Sequence, residues 1–305
     1  MTQATGTASN TTDLTAAGAG ADTVDTAGTA GTAAGTQGAD DDRAVLVEQR
    51  AAGLWLRLNR PRALNGITPA TVTGLHAGLD RAERDDSVRA VVLAAVGRVF
   101  CAGADLTLIH QMASAPQAQA AALQQSFLQN VGDVLNRLEA FGKPVVAAVH
   151  GLAVAGGLEL VLCCDLVIAA ASARFGDAHA NYGLLPGGGA SVRLPRRVGP
   201  SRAKHLMFTG LDLPAADFLG TDLVTAVVPD ADLTDSVDEL VARMATKSPT
   251  GLARMKDLVD RGLQAPAEHG LRAELDAVAQ HARTEDFAEG LRAFADKRQP
   301  RFTGR

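Results

Sequence analysis

The chain has 305 residues and a mass of 31.4 kDa, room for one large domain or two small ones at about 100–200 residues each. Apolar residues make up 47% of it and aromatic residues only 4%, so a sizeable core has to be built from Ala, Val, Leu and Gly. A net charge of −5 excludes a global positive field for nucleic acid, and no apolar run reaches the ~18 residues that a membrane span needs.

Residues 1–42 carry no Lys, Arg or aromatic residue and hold six aspartates. Such a segment has too little apolar area to offset its ordering entropy, and it reads as a disordered low-complexity tail. It lacks the basic start and apolar middle of a secretory signal, and the arginines of a transit peptide, so a cytoplasmic location is expected. Outside the tail, acids and bases nearly balance. Residues 44–49 and 54–58 read as a hairpin around Ala51, Ala52 and Gly53. Residues 69–84 have helical spacing, with Thr68 as N-cap. The run VRAVVLA (88–94) is the kind of strand that is covered on both faces. A long helix over 119–140 follows, then a buried strand PVVAAV (144–149), a helix over 155–163 and a third buried strand over 165–170. This alternation predicts an α/β core over residues 43–200. Helical periodicity then dominates, at 201–208, 232–246, 250–263, 267–283 and 284–297, with one more strand near 223–228. Residues 201–305 are therefore expected to form a helical C-terminal region. Cys101, Cys163 and Cys164 sit in apolar company and two are adjacent, which argues against a disulfide framework and fits a reducing compartment.

Two loops stand where a strand meets a helix: FCAGADL (100–106) and HGLAVAGGLE (150–159). The first N–H groups of a helix lack an internal partner and point toward any anion or developing oxyanion placed there. Small side chains let a ligand approach that backbone. Ordinary tight turns would look the same for either loop alone. Residues 151–157 lack the Lys and Ser/Thr of a phosphate-binding P-loop, and no Gly-x-Gly-x-x-Gly opens a helix after the first strand, so a dinucleotide fold is disfavoured. Glu159 lies three residues after Gly156, a spacing that puts both on one side of the helix. It has no charged neighbour until Asp165, and a carboxyl buried there would have a raised pKa suited to proton transfer near neutrality. The alternative is an acid favoured simply by the helix dipole.

The segments LNRPRALN (58–65), FCAGADL (100–106), KPVVAAV (143–149), the Gly-Gly-Leu-Glu run ending at Glu159, CDL (164–166), FG (175–176), PGGG (186–189), RLP (193–195) and KRQPRF (297–302) stand in a telling order and spacing. In them the chain resembles the crotonase, or enoyl-CoA hydratase/isomerase, superfamily over about residues 44–302. The resemblance implies a crotonase-like spiral of ββα units whose C-terminal helices join chains into a homotrimer or hexamer. It implies an acyl-CoA thioester as substrate and no cofactor, coenzyme A being part of the substrate. The N–H groups of Ala104 and Gly156 would hold the thioester oxygen and stabilise an enolate, each such donor contributing about 2.7–4 kcal/mol. Arg62, Ala63, Leu64, Ala102, Gly103, Asp105, Leu106 and Gly157 would form the substrate-binding set, with Arg62 near the phosphates or adenine of coenzyme A.

By the same resemblance Glu159 is the catalytic acid/base. Hydratases of the family use a second glutamate further along, and here its position is held by His179. An imidazole ionises in the right range for acid/base work, but it can equally serve only to line the acyl pocket. Asp177 is placed to orient it, although along a strand the two share a face and need not touch. No third ligand accompanies Asp177 and His179, so a metal site is not expected. The activity expected is hydration of a 2-enoyl-CoA. The alternatives are an isomerase in which Glu159 alone shuttles a proton, and a CoA-thioester-binding protein of this fold without hydratase activity. RNA binding, which has precedent in the superfamily, would need a dense basic patch that is lacking. His150 is expected to be buried and structural, and Cys101 has no convincing base beside it.

Overall fold

The computed structural model describes residues 43–305. The disordered tail expected over residues 1–42 lies outside the described residues. Strands β1 (Val45–Arg50) and β2 (Gly53–Leu58) form the expected hairpin, pairing Val45 with Leu58 and Arg50 with Gly53. Helix α1 (Pro69–Arg84) starts at Thr68, whose hydroxyl accepts from the Thr71 N–H while the Thr71 hydroxyl accepts from the Thr68 N–H. Pro69 suits the first helical position, where its missing N–H would have no partner anyway.

Strands β3 (Ala90–Ala95), β4 (Val145–Val149), β6 (Leu166–Ala170) and β9 (Ala226–Val228) continue β2 in parallel, giving the order β1-β2-β3-β4-β6-β9. A second sheet has the order β5-β7-β8, formed by β5 (Leu152–Val154), β7 (Arg174–Gly176) and β8 (Asp212–Pro214). The helices between them are α2 (Leu106–Ala113), α3 (Gln117–Glu139), α4 (Gly156–Leu162), α5 (Ala190–Val198) and α6 (Pro200–Thr209). Four more follow: α7 (Leu233–Ala245), α8 (Pro249–Gly262), α9 (Ala267–His281) and α10 (Glu285–Ala295).

Alternate residues of the large sheet point to opposite faces. Leu56, Leu93, Ala147 and Val167 belong to a buried cluster with Leu75 of α1 and Leu135 of α3. Trp55, Val92, Val146 and Ile168 point the other way and pack with Val237 and Val241 of α7. Both faces are dry, which is why these strands read as unbroken apolar runs.

The α/β class and the parallel sheet agree with the sequence reading. Strands β5, β7 and β8 are additional elements. A strand of three residues is too short to show an alternating pattern. Asp165, expected at the start of a strand, stays just outside β6. Its Oδ2 accepts from the Val145 N–H at 2.7 Å and from Lys256 Nζ at 2.9 Å, tying α8 to the end of β4.

The start of α4 packs directly on another backbone. A Cβ on Gly157 would run into the Cys101 carbonyl, with its carbon at 2.8 Å. That backbone has no rotamer with which to move aside. Gly157→Ala is therefore expected to destabilise the fold by about 1–3 kcal/mol. Thermal or urea unfolding measures it, with Gly142→Ala as the control. Gly142 has no atom within 4 Å of its would-be Cβ, and its substitution should stay within about 0.5 kcal/mol.

Candidate active site

The two glycine-bearing loops meet. The Cys101 N–H donates to Leu152 O at 3.0 Å, and the Val154 N–H donates to Cys101 O at 3.0 Å. On the other side the Ile67 N–H donates to Gly103 O at 2.8 Å, and the Asp105 N–H to Ile67 O at 3.1 Å. The peptide joining Gly103 and Ala104 is thereby held against the start of α4. Gly103 has φ +100°, and a Cβ there would lie 2.9 Å from Ala155 Cβ and 3.2 Å from the Gly156 nitrogen. Ala155 has φ 49° and ψ −124°, a conformation that side-chain-bearing residues rarely adopt, and its N–H is tied to Gly176 O at 3.1 Å. A Cβ on Gly156 would lie 3.4 Å from the Ala104 nitrogen. Among the described residues, no carbonyl accepts from the N–H of Ala104 or of Gly156. Two backbone donors thus stand side by side without a partner.

Arg62 and Ala63 sit in a single 3₁₀ turn, Pro61–Ala63, and both are exposed. Leu64 and Asn65 follow with positive φ, 51° and 56°. The Leu64 carbonyl accepts from the Ala102 N–H at 3.0 Å, which brings the 62–64 turn beside the 102–106 loop. Buried Asn65 holds the turn: its Oδ1 accepts from the Arg60 N–H at 2.8 Å, and its Nδ2 donates to the carbonyls of Val96 and Val99 at 2.9 Å each. Sequence reasoning passed Asn65 over as part of a motif; a buried amide closing a turn was its signal. Asp105 uses Oδ1 to cap α2, accepting from the Thr107 and Leu108 N–H groups, and Oδ2 to pair with Arg60 at 3.0 Å. Its carboxylate thus holds the loop in shape. Leu106 is exposed at the mouth of the same loop.

Glu159, on the first turn of α4, is 3% exposed. Its Oε1 accepts from the Gly188 N–H at 2.8 Å and the Ala190 N–H at 3.1 Å. Sequence reasoning missed this pair of amides. Arg193 secures their loop by donating to Gly188 O at 2.7 Å while its guanidinium grips Glu139 at the end of α3, at 2.6–3.1 Å. Burial raises the pKa of Glu159; the Ala190 and Gly188 N–H groups and the His179 charge oppose the rise, and Asp177 adds to it. An open cleft of ≈ 490 Å³ lies next to this loop, lined by Leu128, Gln124, Gln129 and Gly187 among others.

His179 opens a short 3₁₀ turn, His179–Tyr182, just beyond β7.

 The chain leaves that strand at Gly176, and Ala178 turns it with φ 60°. The ring of His179 folds back, and its Nδ1 lies 3.1 Å from Asp177 Oδ1. Asp177 is thus in contact with the ring it was placed to orient, and the contact is made through a turn, since the chain is not extended there. Asp177 is 1% exposed, and among the described residues its Oδ2 has no hydrogen-bond partner. Burial pulls the pKa of His179 down, but the hydrogen bond and charge of Asp177, with the charge of Glu159, outweigh it and leave it raised. Each of Glu159 and His179 thus feels the charge of the other.

The family model for enoyl-CoA hydratase/isomerase matches residues 48–305. The chain belongs to that family. It is 32% identical over 259 residues to the crotonyl-CoA hydratase of Syntrophomonas wolfei, covering 85% of this chain and 97% of that one. It is 37% identical over 262 residues to the 2,3-dehydroadipyl-CoA hydratase of Escherichia coli K12, covering 86% and 99%. The crystal structure of an enoyl-CoA hydratase from Bacillus anthracis superimposes with a TM-score of 0.79 at 32% identity, covering 86% of this chain and all of that one. The fold is thus the crotonase fold, and the chain is an enzyme of the enoyl-CoA hydratase/isomerase family.

Other expected features sit around this family's scaffold. His150 is only half-buried, not buried as expected, with Nε2 2.8 Å from Gly97 O. Cys101 is buried, and burial pushes its thiol up to about 12. Among the described residues there is no group of three or more His, Cys, Asp or Glu able to hold a metal ion, and no helix long and apolar enough to cross a membrane.

The raised pKa of Glu159 has a stability consequence. A carboxyl whose folded pKa lies above its unfolded value favours folding when protonated, and that contribution fades as pH rises through the folded pKa. Glu159→Gln keeps an oxygen for the Gly188 and Ala190 amides without a buried charge. Its thermal midpoint should exceed the wild type's at neutral pH, and the gap should narrow toward about pH 5. Melting curves across that range check the sign.

Proposed function

We propose that this chain adds water across the double bond of a 2-enoyl-CoA. The thioester oxygen is held between the N–H groups of Ala104 and Gly156, and Glu159 and His179 handle the protons. The observation that carries this reading is the convergence of two unpartnered backbone donors with a buried carboxylate one helical turn away. Addition to an enoyl thioester passes charge onto one oxygen. Two fixed amide dipoles stabilise that charge without burying a counter-ion. Glu159 has Oε1 held by two amides, which leaves Oε2 for water. Isomerisation needs one shuttling base, whereas hydration needs one group to take a proton from water and another to supply one to carbon. The His179 imidazole beside the carboxylate favours the second.

Arg62, Ala63 and Leu64 with Ala102, Gly103, Asp105 and Leu106 form the surface over which coenzyme A lies in this reading; Gly157, expected in the same set, is buried against the Cys101 carbonyl and supports that surface from beneath. The reaction calls on no cofactor beyond the coenzyme A that the substrate carries. The three unpaired, buried cysteines suit a reducing cytoplasm.

Glu159→Gln tests the reading. Turnover of crotonyl-CoA should fall by at least about 10²-fold while the fold and thioester binding persist. Wild-type turnover in that variant overturns it. Thioester binding by the wild type without turnover of any enoyl-CoA would leave a binding protein of this fold instead.

The helical region from residue 201 to 305 is proposed to join copies of the chain. Helix α8 and its C-cap expose Met255, Val259 and Leu263 at i, i+4 and i+8, and α9 exposes Leu271, Leu275 and Val278 at i, i+4 and i+7. Each set lies along one side of its helix, and Leu263 is 83% exposed in the single chain. Apolar stripes of this kind mark an interface. Light scattering at micromolar concentration should give three or six times the 31.4 kDa chain mass, and a monomer overturns the proposal.

A further inference from the structure

We propose that Asp177 is a positioning residue for catalysis: it holds the His179 ring through Nδ1 and leaves Nε2 as the nitrogen that exchanges a proton with the substrate. The inference rests on the hydration reading above and deepens it.

The geometry is local and specific. Asp177 Oδ1 faces two nitrogens of the same residue, the His179 N–H at 3.4 Å and the ring Nδ1 at 3.1 Å. The left-handed turn at Ala178 is what lets one oxygen reach both main chain and ring. An ionised carboxylate only accepts hydrogen bonds, so the proton of a neutral His179 sits on Nδ1. Nε2 then carries the free lone pair, and among the described residues it has no hydrogen-bond partner in the protein.

Fold stability does not account for Asp177. Its side chain is 2% exposed, and its Oδ2 is buried without a partner, an arrangement that costs free energy. The charged groups acting on His179 are Asp177 from its own segment and Glu159 from α4, both carboxyls. Together they favour the imidazolium over the neutral ring.

The water oxygen bonds to the β-carbon as one water proton passes to Glu159. The enolate α-carbon takes the Nε2 proton of the His179 imidazolium, leaving a neutral ring with its Nδ1–H on Asp177. Return of the proton from Glu159 to His179 restores both groups. Asp177 touches no reacting atom.

Asp177→Asn removes the charge and keeps the shape. With crotonyl-CoA, kcat should fall about tenfold or more with KM little changed. A proton donor must be protonated, so activity falls as pH rises through its pKa. Losing the Asp177 charge lowers that pKa, and the alkaline limb of the kcat profile should move to lower pH. In a His179→Gln background the same change should cost nothing further. An equal loss in both backgrounds, or an alkaline limb that stays in place, overturns the proposal and leaves Asp177 a structural residue. Nitrogen NMR of the histidine rings gives a readout independent of turnover. Wild-type His179 should be the Nδ1–H tautomer when neutral and should titrate at higher pH than in Asp177→Asn. An Nε2–H tautomer, or identical titrations, overturns the inference even if the protein turns over no enoyl-CoA; the expected result in that case leaves the dyad standing and removes only the hydration reading.

Discussion

The carbonyl of Cys101 accepts the Val154 N–H and lies against Gly157, at a separation that leaves no room for a side chain. That contact sets how near two separate stretches of backbone come to each other. One carries the Ala104 N–H and the other the Gly156 N–H. Glu159 is on the same helix as Gly156, so its position follows from the same approach. The large parallel sheet serves this contact from behind. It delivers β3 and β4 side by side, so that the loops leaving them end in the same place. Small residues are required in both loops because each side chain added would push the donors apart.

Burying a carboxylate next to those donors has a free-energy cost that the surroundings only partly offset. Two amides on Oε1 and the charge of His179 favour the ionised form, while burial and Asp177 disfavour it. The result is a group whose two protonation states are closer in free energy than those of an exposed glutamate. Its proton is therefore held more firmly than that of an exposed glutamate. The loop that supplies the amides is held by Arg193 to α3, so the cradle of the carboxylate is fixed from outside the site.

Much of the fold was legible because burial leaves a direct mark on sequence. VRAVVLA and PVVAAV are strands with both faces dry, and Thr68 followed by Pro69 starts a helix by its chemistry. What could not be read depended on backbone conformations that residue type does not announce. Ala178 at φ 60° is an ordinary alanine in the sequence, yet it turns His179 onto Asp177. Read as an extended segment, the two share a face and their contact is left open. The amides of Gly188 and Ala190 were equally invisible, since a main-chain donor has no letter of its own. Glu159 and the small-residue loops were legible, because a lone acid amid leucines and a run of glycines are both unusual and physically meaningful.

Ala155 gives this arrangement its stiffness. It is the one residue with a side chain in the stretch from 155 to 157, and it stands in a conformation that costs roughly 1–3 kcal/mol for any residue other than glycine. Glycine there would relieve that strain but would place three glycines in succession, a hinge with many accessible shapes. The methyl group removes those shapes, and its contact with Gly103 allows little else. Stored strain is thus exchanged for a narrow distribution of backbone positions at the point where the Ala104 and Gly156 donors meet. The entropy of ordering the donors is met once, when the chain folds.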